Sequence, residues 1–208
     1  MAKQIGTNTK EKILKAAARM FSERGYDKVT TREIAKDAGI NPASIYHHFP
    51  SKEDILDSLY ALYSLKRREE YPDMGELMLL AETEPPHEVL IRSIFSYSDE
   101  NVEMLDQVLI TAARGLGIDQ KSERFIRENI FESVVGALKP LLERLIELGR
   151  VEPLDVDSFI RIIQLYCFSV AAFNKSKFRL DFDEFQKEMA LLFSLVVPTG
   201  TVAERSMT

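Results

Sequence analysis

Hydrophobic positions recur at helical spacing along almost the whole chain. Between Thr9 and Glu23 the apolar positions fall three or four residues apart, at Ile13, Leu14, Ala17, Met20 and Phe21. The same spacing predicts further helices at about 52–70, 74–82, 87–98, 101–114, 121–148, 156–174 and 182–197. No alternating run is long enough to indicate a strand, so the pattern predicts an all-α protein.

Capping and turn residues divide the first 50 residues into three helices. Gly25 ends the first helix, and the sequence TTRE at residues 30–33 predicts a capping box at the start of the second. The second helix stops at Gly39. Asn41 and Pro42 suit the cap and the first position of a third helix, which is predicted to end at His48. Two short helices joined by the tight turn AGIN form a helix-turn-helix.

The third helix has the residues that DNA recognition requires. In a helix-turn-helix the second of the two helices enters the major groove with its N-terminal end first. Small residues at 42–44 allow the backbone to approach the bases, while Ile45 and Phe49 face inward. Hydrogen-bonding groups face outward or stand at element ends that can bind phosphates, at Thr31, Ser44, Tyr46, His47 and Lys52.

The charge distribution supports a nucleic-acid partner although the net charge, −6, does not. Residues 1–50 contain 9 Lys and Arg against 5 Asp and Glu, whereas residues 51–208 contain 18 against 28. This asymmetry indicates a small basic module joined to a larger acidic one.

The remaining composition favours a soluble cytoplasmic protein. The chain has one cysteine, Cys167, which excludes an internal disulfide framework and is expected to be an inert buried thiol. The start MAKQIGTNTKEK has no apolar core of a signal peptide. The apolar stretch 159–173 is too short to span a bilayer and is interrupted by Arg161 and Gln164.

The segments AAARMFSERGYDKVTTREIAKDAGI and SIYHHFPSKEDIL resemble the N-terminal domain of TetR-type transcriptional regulators. The resemblance covers residues 9–56, and it implies a three-helix DNA-binding domain followed by a helical domain for effector binding and dimerisation. Carried onto this chain, it implies DNA contacts from Thr31, Ala43, Ser44, Tyr46, His47 and Lys52, with Asn41 and Pro42 adjacent. Asn41 and Ala43 depart from the Ser and Gly frequent in the family, so the base preference is not transferable.

Other functions for this segment find less support. Adjacent helical residues point about 100° apart, so His47 and His48 do not bind one metal ion together, and no metal site or cofactor is expected. A hydrolase would need a nucleophile paired with a base, and no spacing supports one. His48 is expected either to pack against the helix-turn-helix core or to contact a phosphate. A helical adaptor that binds proteins through its apolar C-terminal helix stays an alternative.

The larger part of the chain is expected to form a homodimer and to bind an effector. The segment FIRIIQLYCFSVAAF is apolar almost all round, which is typical of a helix buried on more than one side. With the last helix it predicts a dimer interface of Phe159, Ile163, Phe185, Met189, Leu192, Phe193 and Val196. Mixed aromatic, soft apolar and polar groups suggest a pocket for a small apolar or aromatic effector, at Met78, Phe95, Met104, Gln107, Thr111, Phe125, Asn129 and Tyr166.

These expectations combine into one predicted organisation. Residues 1–50 form the helix-turn-helix domain, residues 51–198 the effector-binding and dimerisation domain, and residues 199–208 a mobile tail. The predicted function is a ligand-responsive transcriptional repressor that binds a palindromic DNA operator as a dimer and releases it on binding the effector.

Overall fold

The computed structural model describes residues 2–70, 73–94, 102–173 and 182–198, and within these ranges it contains helices and no strand. The all-α prediction is confirmed. The α-helices are α1 Ala2–Arg24, α2 Thr31–Asp37, α3 Ile45–His48, α4 Lys52–Glu70, α5 Met74–Thr83, α6 Pro86–Ile94, α7 Val102–Gly115, α8 Gln120–Ile126, α9 Ser133–Glu147, α10 Val156–Phe173 and α11 Phe182–Ser194. Within these residues, no helix combines the length and hydropathy needed to cross a membrane. Phe95 and the predicted tail at 199–208 lie outside the described residues.

The chain divides into two compact units that interleave along the sequence. The first unit comprises Met1–Glu69 with Tyr97–Ile126, and the second comprises Glu70–Ser96 with Arg127–Thr208. The helix-turn-helix therefore shares its compact unit with α4, α7 and α8. The division after residue 50 stays a prediction about functional modules, and the packing units follow different limits.

In the first unit, α1 packs against α2 and α7 around large buried side chains. Phe21 and Ile34 are fully buried there, as the apolar spacing predicts. Phe125 on α8 packs against two tyrosines of α4, with ring centroids 4.3 Å from Tyr60 and 5.0 Å from Tyr63. These aromatic contacts join α8 to α4, which is the helix that follows the helix-turn-helix.

The turn between α7 and α8 is closely packed at Gly115. A β-carbon added there would overlap the side chains of Ser122 and Asp119, so the position requires glycine. The Asp119 carboxylate accepts from the Ser122 amide at 2.7 Å, while the Tyr60 and Ser122 hydroxyls lie 2.9 Å apart. Burial raises the pKa of Tyr60 to about 12.

The second unit packs α5, α6, α9, α10 and α11 around one apolar core. Between α8 and α9 the chain forms a π-helical segment, Arg127–Glu132, which the sequence pattern does not predict. Gln164, a buried polar residue on α10, donates from Nε2 to the carbonyl of Phe131 in this segment at 2.7 Å. The glutamine therefore satisfies a main-chain acceptor inside the irregular turn.

Candidate nucleic-acid interface

The N-terminus of α2 is held by the capping box that the sequence predicts. The Thr30 hydroxyl accepts from the Glu33 amide at 3.2 Å, and the Thr30 amide donates to the Glu33 carboxylate at 2.8 Å. The other carboxylate oxygen accepts from Arg24 at 2.7 Å. Hydrogen bonds from Thr30, followed by that from Arg24, lower the pKa of Glu33 from 4.5 to about 2. Because this cap fixes the first turn, it also fixes the position of Thr31.

The α-helix α3 is shorter than the sequence suggests. The prediction began it at Pro42, whereas residues 42–44 form a turn and the α-helix starts at Ile45. The Asn41 side chain accepts from the Ala43 amide at 2.8 Å, and the Ser44 amide donates to the Asn41 carbonyl at 2.8 Å. Asn41 thus caps a tight turn rather than the first turn of an α-helix.

Two apolar side chains anchor α3 and leave a polar face outside. Ile45 is fully buried and Phe49 is 5% exposed, as expected for inward positions. Tyr46 is 54% exposed, and His47 is also exposed. Of the remaining candidates near this helix, Ser44 is half-buried, while the residues exposed to solvent are Asn41, Pro42 and Ala43.

A hydroxyl pair joins the outer face of α3 to the start of α2. The Tyr46 and Thr31 hydroxyl oxygens lie 2.9 Å apart, close enough for a hydrogen bond with either group as donor. The structure thus brings together two residues that are 15 positions apart in sequence. Each hydroxyl keeps further hydrogen-bonding capacity, which a phosphate oxygen can use.

Lys52 is placed differently from a solvent-facing lysine. Its ammonium donates to the carbonyls of Tyr26 at 3.0 Å and Val29 at 3.1 Å, and it lies 4.1 Å from the centroid of the Tyr26 ring. The side chain is half-buried on the turn that precedes α2. A phosphate contact from Lys52 stays a prediction, and the structure adds a second, internal role.

Lys10 on α1 is a basic residue near this surface that the sequence analysis did not select. Its ammonium lies 5.8 Å from the centroid of the Phe49 ring, directly after α3. No local motif marks Lys10, because its position beside α3 depends on packing between distant segments. His48 is half-buried, and its structural or phosphate-contacting role stays open.

Residues 13–59 match the family described as "Bacterial regulatory proteins, tetR family". The HTH-type transcriptional repressor KstR2 of Mycobacterium tuberculosis is 48% identical over 59 residues, which cover 28% of this chain and 29% of that protein. Residues 13–59 of this chain are therefore similar to the tetR-family domain. The HTH-type transcriptional regulator AcrR of Shigella flexneri is 26% identical over 152 residues, covering 68% of this chain and 67% of that protein.

Solved structures extend the likeness of fold beyond the TetR-type domain. The ketosteroid transcriptional regulator KstR2 of Mycobacterium tuberculosis has a TM-score of 0.64 at 24% identity, over 91% of this chain and 95% of that chain. A mutant of HlyIIR has a TM-score of 0.66 at 22% identity, over 95% of this chain and all of that chain. At these identities the likeness concerns the fold alone. KstR2 and AcrR are named as transcriptional regulators.

The residues predicted to line an effector pocket fall into both units of the chain. Met104 and Gln107 line a cavity of about 610 Å³ in the first unit, and Thr111 lines another of about 760 Å³. Phe125 is 4% exposed and packs in the core of the same unit. The second unit contains three further candidates, Met78, Asn129 and Tyr166. The selection of effector-contacting residues stays a prediction.

Several residues predicted for the dimer interface lie in the apolar core of the second unit. Ile163, Met189 and Phe193 are fully buried within the single chain. The half-buried members pack against the same core, at Phe159, Phe185, Leu192 and Val196. Among the side chains that the structure describes in α10, α11 and the following turn, the exposed large apolar ones are Ile162, Leu165, Leu191 and Leu195. The residues that form a dimer interface stay a prediction.

Metal ligation finds no support within the described residues. No set of three or more His, Cys, Asp or Glu side chains there is arranged to hold a metal ion. Cys167 is half-buried on α10 rather than fully buried.

Proposed function

We propose that the protein is a transcriptional regulator that binds double-stranded DNA through α2 and α3. The observation that carries the proposal is the exposed face of Tyr46 and His47, on a helix anchored by Ile45 and Phe49 within a TetR-type domain. Side chains on such a face reach base edges in the major groove, while the hydroxyls of Thr31 and Tyr46 contact phosphates. Repressor is the preferred role, because KstR2 is named a transcriptional repressor.

We further propose that the protein binds a palindromic operator as a homodimer. Two helix-turn-helix modules related by a twofold axis contact half-sites about 34–36 Å apart on one face of the duplex. The exposed side chains of Ile162 and Leu165 on α10 supply an apolar surface for a second copy, with Leu191 and Leu195 as further contacts. Ile162 and Leu165 are three residues apart and therefore neighbours on one helical face.

Regulation is proposed to come from a small apolar or aromatic effector. The effector is proposed to bind a dimer conformation in which the spacing of the two recognition helices does not fit the operator. Effector binding and DNA binding then oppose each other, with a reciprocal coupling free energy of about 1–3 kcal/mol. The acidic composition of residues 51–208 disfavours phosphate contacts outside the N-terminal module. A protein with this task acts in the cytoplasm, where the bacterial chromosome lies, and needs no cofactor.

Selection of binding sites from random duplex DNA, followed by affinity measurements over a salt series, tests the proposal. We expect an inverted repeat and a steep decrease of affinity with salt, since each neutralised phosphate contributes about −0.9 to the logarithmic slope. Absence of any enriched sequence, or an affinity independent of salt, would refute the proposal.

The histidines provide a matched pair of variants for the same assay. His47→Ala should change the selected base sequence, because it removes a side chain from the proposed groove-facing surface. His87→Ala, a half-buried histidine on α6 in the second unit, should leave the selected sequence unchanged.

A further inference from the structure

We propose that Lys52 is a positioning residue for DNA binding, which holds the turn before α2 in place. This inference rests on the proposed function. It assigns a second task to a lysine that stands at the N-terminus of α4, where a phosphate contact is expected.

The surroundings of the ammonium group support the positioning role. An ammonium has three donors, and two of those on Lys52 are used by the carbonyls of Tyr26 and Val29, at 3.0 and 3.1 Å. The Tyr26 ring lies 4.1 Å from the same nitrogen, within the distance of a cation–π interaction. The protein itself therefore solvates most of this charge, and the side chain is half-buried.

The turn that Lys52 holds leads directly to the surface proposed to bind DNA. Tyr26 packs edge-on against the buried Phe21, with ring centroids 5.1 Å apart, and Val29 is 1% exposed. Thr30, the next residue, caps α2. A displaced turn would move this cap together with Thr31, whose hydroxyl bonds to Tyr46 on α3.

Replacement of Lys52 should therefore weaken DNA binding, because it removes the contacts that hold this turn in place. The internal bonds join α4 to carbonyls 23 and 26 residues away, so they fix a tertiary arrangement rather than a local one. Charge-assisted hydrogen bonds of this kind are stronger than neutral ones, and their loss is expected to reduce operator affinity at least about tenfold.

Charge-preserving variants separate positioning from phosphate binding. Lys52→Arg keeps the charge but alters the donor geometry, and Tyr26→Leu leaves every charge in place while it removes the ring. If Lys52 positions the turn, both variants lose affinity for the selected operator with an unchanged salt slope. The double variant Tyr26→Leu/Lys52→Met then loses less operator affinity than the product of the fold losses of Tyr26→Leu and Lys52→Met, since both residues act in one contact.

The opposite pattern would overturn the proposal. A lysine that acts only as a phosphate ligand predicts that Lys52→Arg binds like the wild type and that Tyr26→Leu has no effect. In that case Lys52→Met reduces the slope by about 1.8 for the two copies of a dimer and changes nothing else. Lys28→Met serves as the control, because Lys28 is an exposed lysine of the same turn.

Amide hydrogen exchange of the free protein gives a readout that does not depend on DNA. Faster exchange at residues 26–31 in Lys52→Met, with the second unit unchanged, is expected from a lost positioning contact. Unchanged exchange at these residues would refute the positioning role, even if no operator were found and the proposed function itself failed. A variant that is unfolded would exchange fast throughout, and Lys52→Arg would then provide the comparison.

Discussion

Leu165→Asp is expected to dissociate the proposed dimer. Leu165 is 64% exposed on α10 in the single chain, although it is a large apolar side chain. Complete burial of a leucine contributes about 1.5–3 kcal/mol, so burial of its exposed part contributes about 1–2 kcal/mol per copy and about 2–4 kcal/mol per dimer. The loss raises the dissociation constant by about 30- to 700-fold, and an aspartate that must be desolvated adds to it.

Sedimentation velocity over a range of protein concentrations measures this effect directly. The matched control is Leu79→Asp, because Leu79 is 70% exposed on α5 of the same unit and lies outside the proposed interface. We expect Leu165→Asp to sediment as a monomer at concentrations where the wild type and Leu79→Asp remain dimers. A dimer that survives Leu165→Asp, or that is weakened equally by Leu79→Asp, would refute the assignment of this face.

Three further predictions concern the N-terminal domain and the glycines Gly115 and Gly136. Tyr46→Phe removes a hydroxyl that lies 2.9 Å from that of Thr31, and it should weaken operator binding by about 0.5–1.5 kcal/mol in a fluorescence anisotropy titration, without a loss of thermal stability of similar size. Because the pKa of Glu33 falls from 4.5 to about 2 on folding, its stabilising contribution is present above pH 4.5 and is lost as the pH falls towards 2. The melting temperatures of wild type and Glu33→Gln should therefore differ at pH 6 and converge near pH 2, and a difference independent of pH would contradict this. Gly115→Ala should lower the melting temperature because the added methyl overlaps the start of α8, whereas Gly136→Ala, which meets no atom within 4 Å inside α9, should raise stability by about 0.5–1 kcal/mol.

Local sequence signals predicted the parts of the site that depend on neighbouring residues. The capping box at Thr30 and the inward positions Ile45 and Phe49 are all present, because their hydrogen bonds and spacing involve residues three or four apart. The predicted start of α3 at Pro42 was wrong, since Asn41 favours a tight turn as readily as a helix cap.

Contacts between distant segments could not be read from these signals. Lys52 bonds to carbonyls more than twenty residues away, and a solvated lysine has the same local sequence. Similarly, the interior position of Ile163 and the exposure of Ile162 depend on which side of α10 meets the core. Nothing in the sequence of residues 127–132 marks the π-helical segment, whose Phe131 carbonyl bonds to Gln164.

Amide hydrogen exchange with and without the selected operator tests the central claim, that α2 and α3 form the DNA-binding surface, most directly. The account predicts slower exchange on DNA at residues 30–32 and 41–48, and the same protection should be weaker in His47→Ala at equal DNA concentration. Protection confined to the second unit, with residues 30–48 unchanged in the presence of bound DNA, would contradict the account.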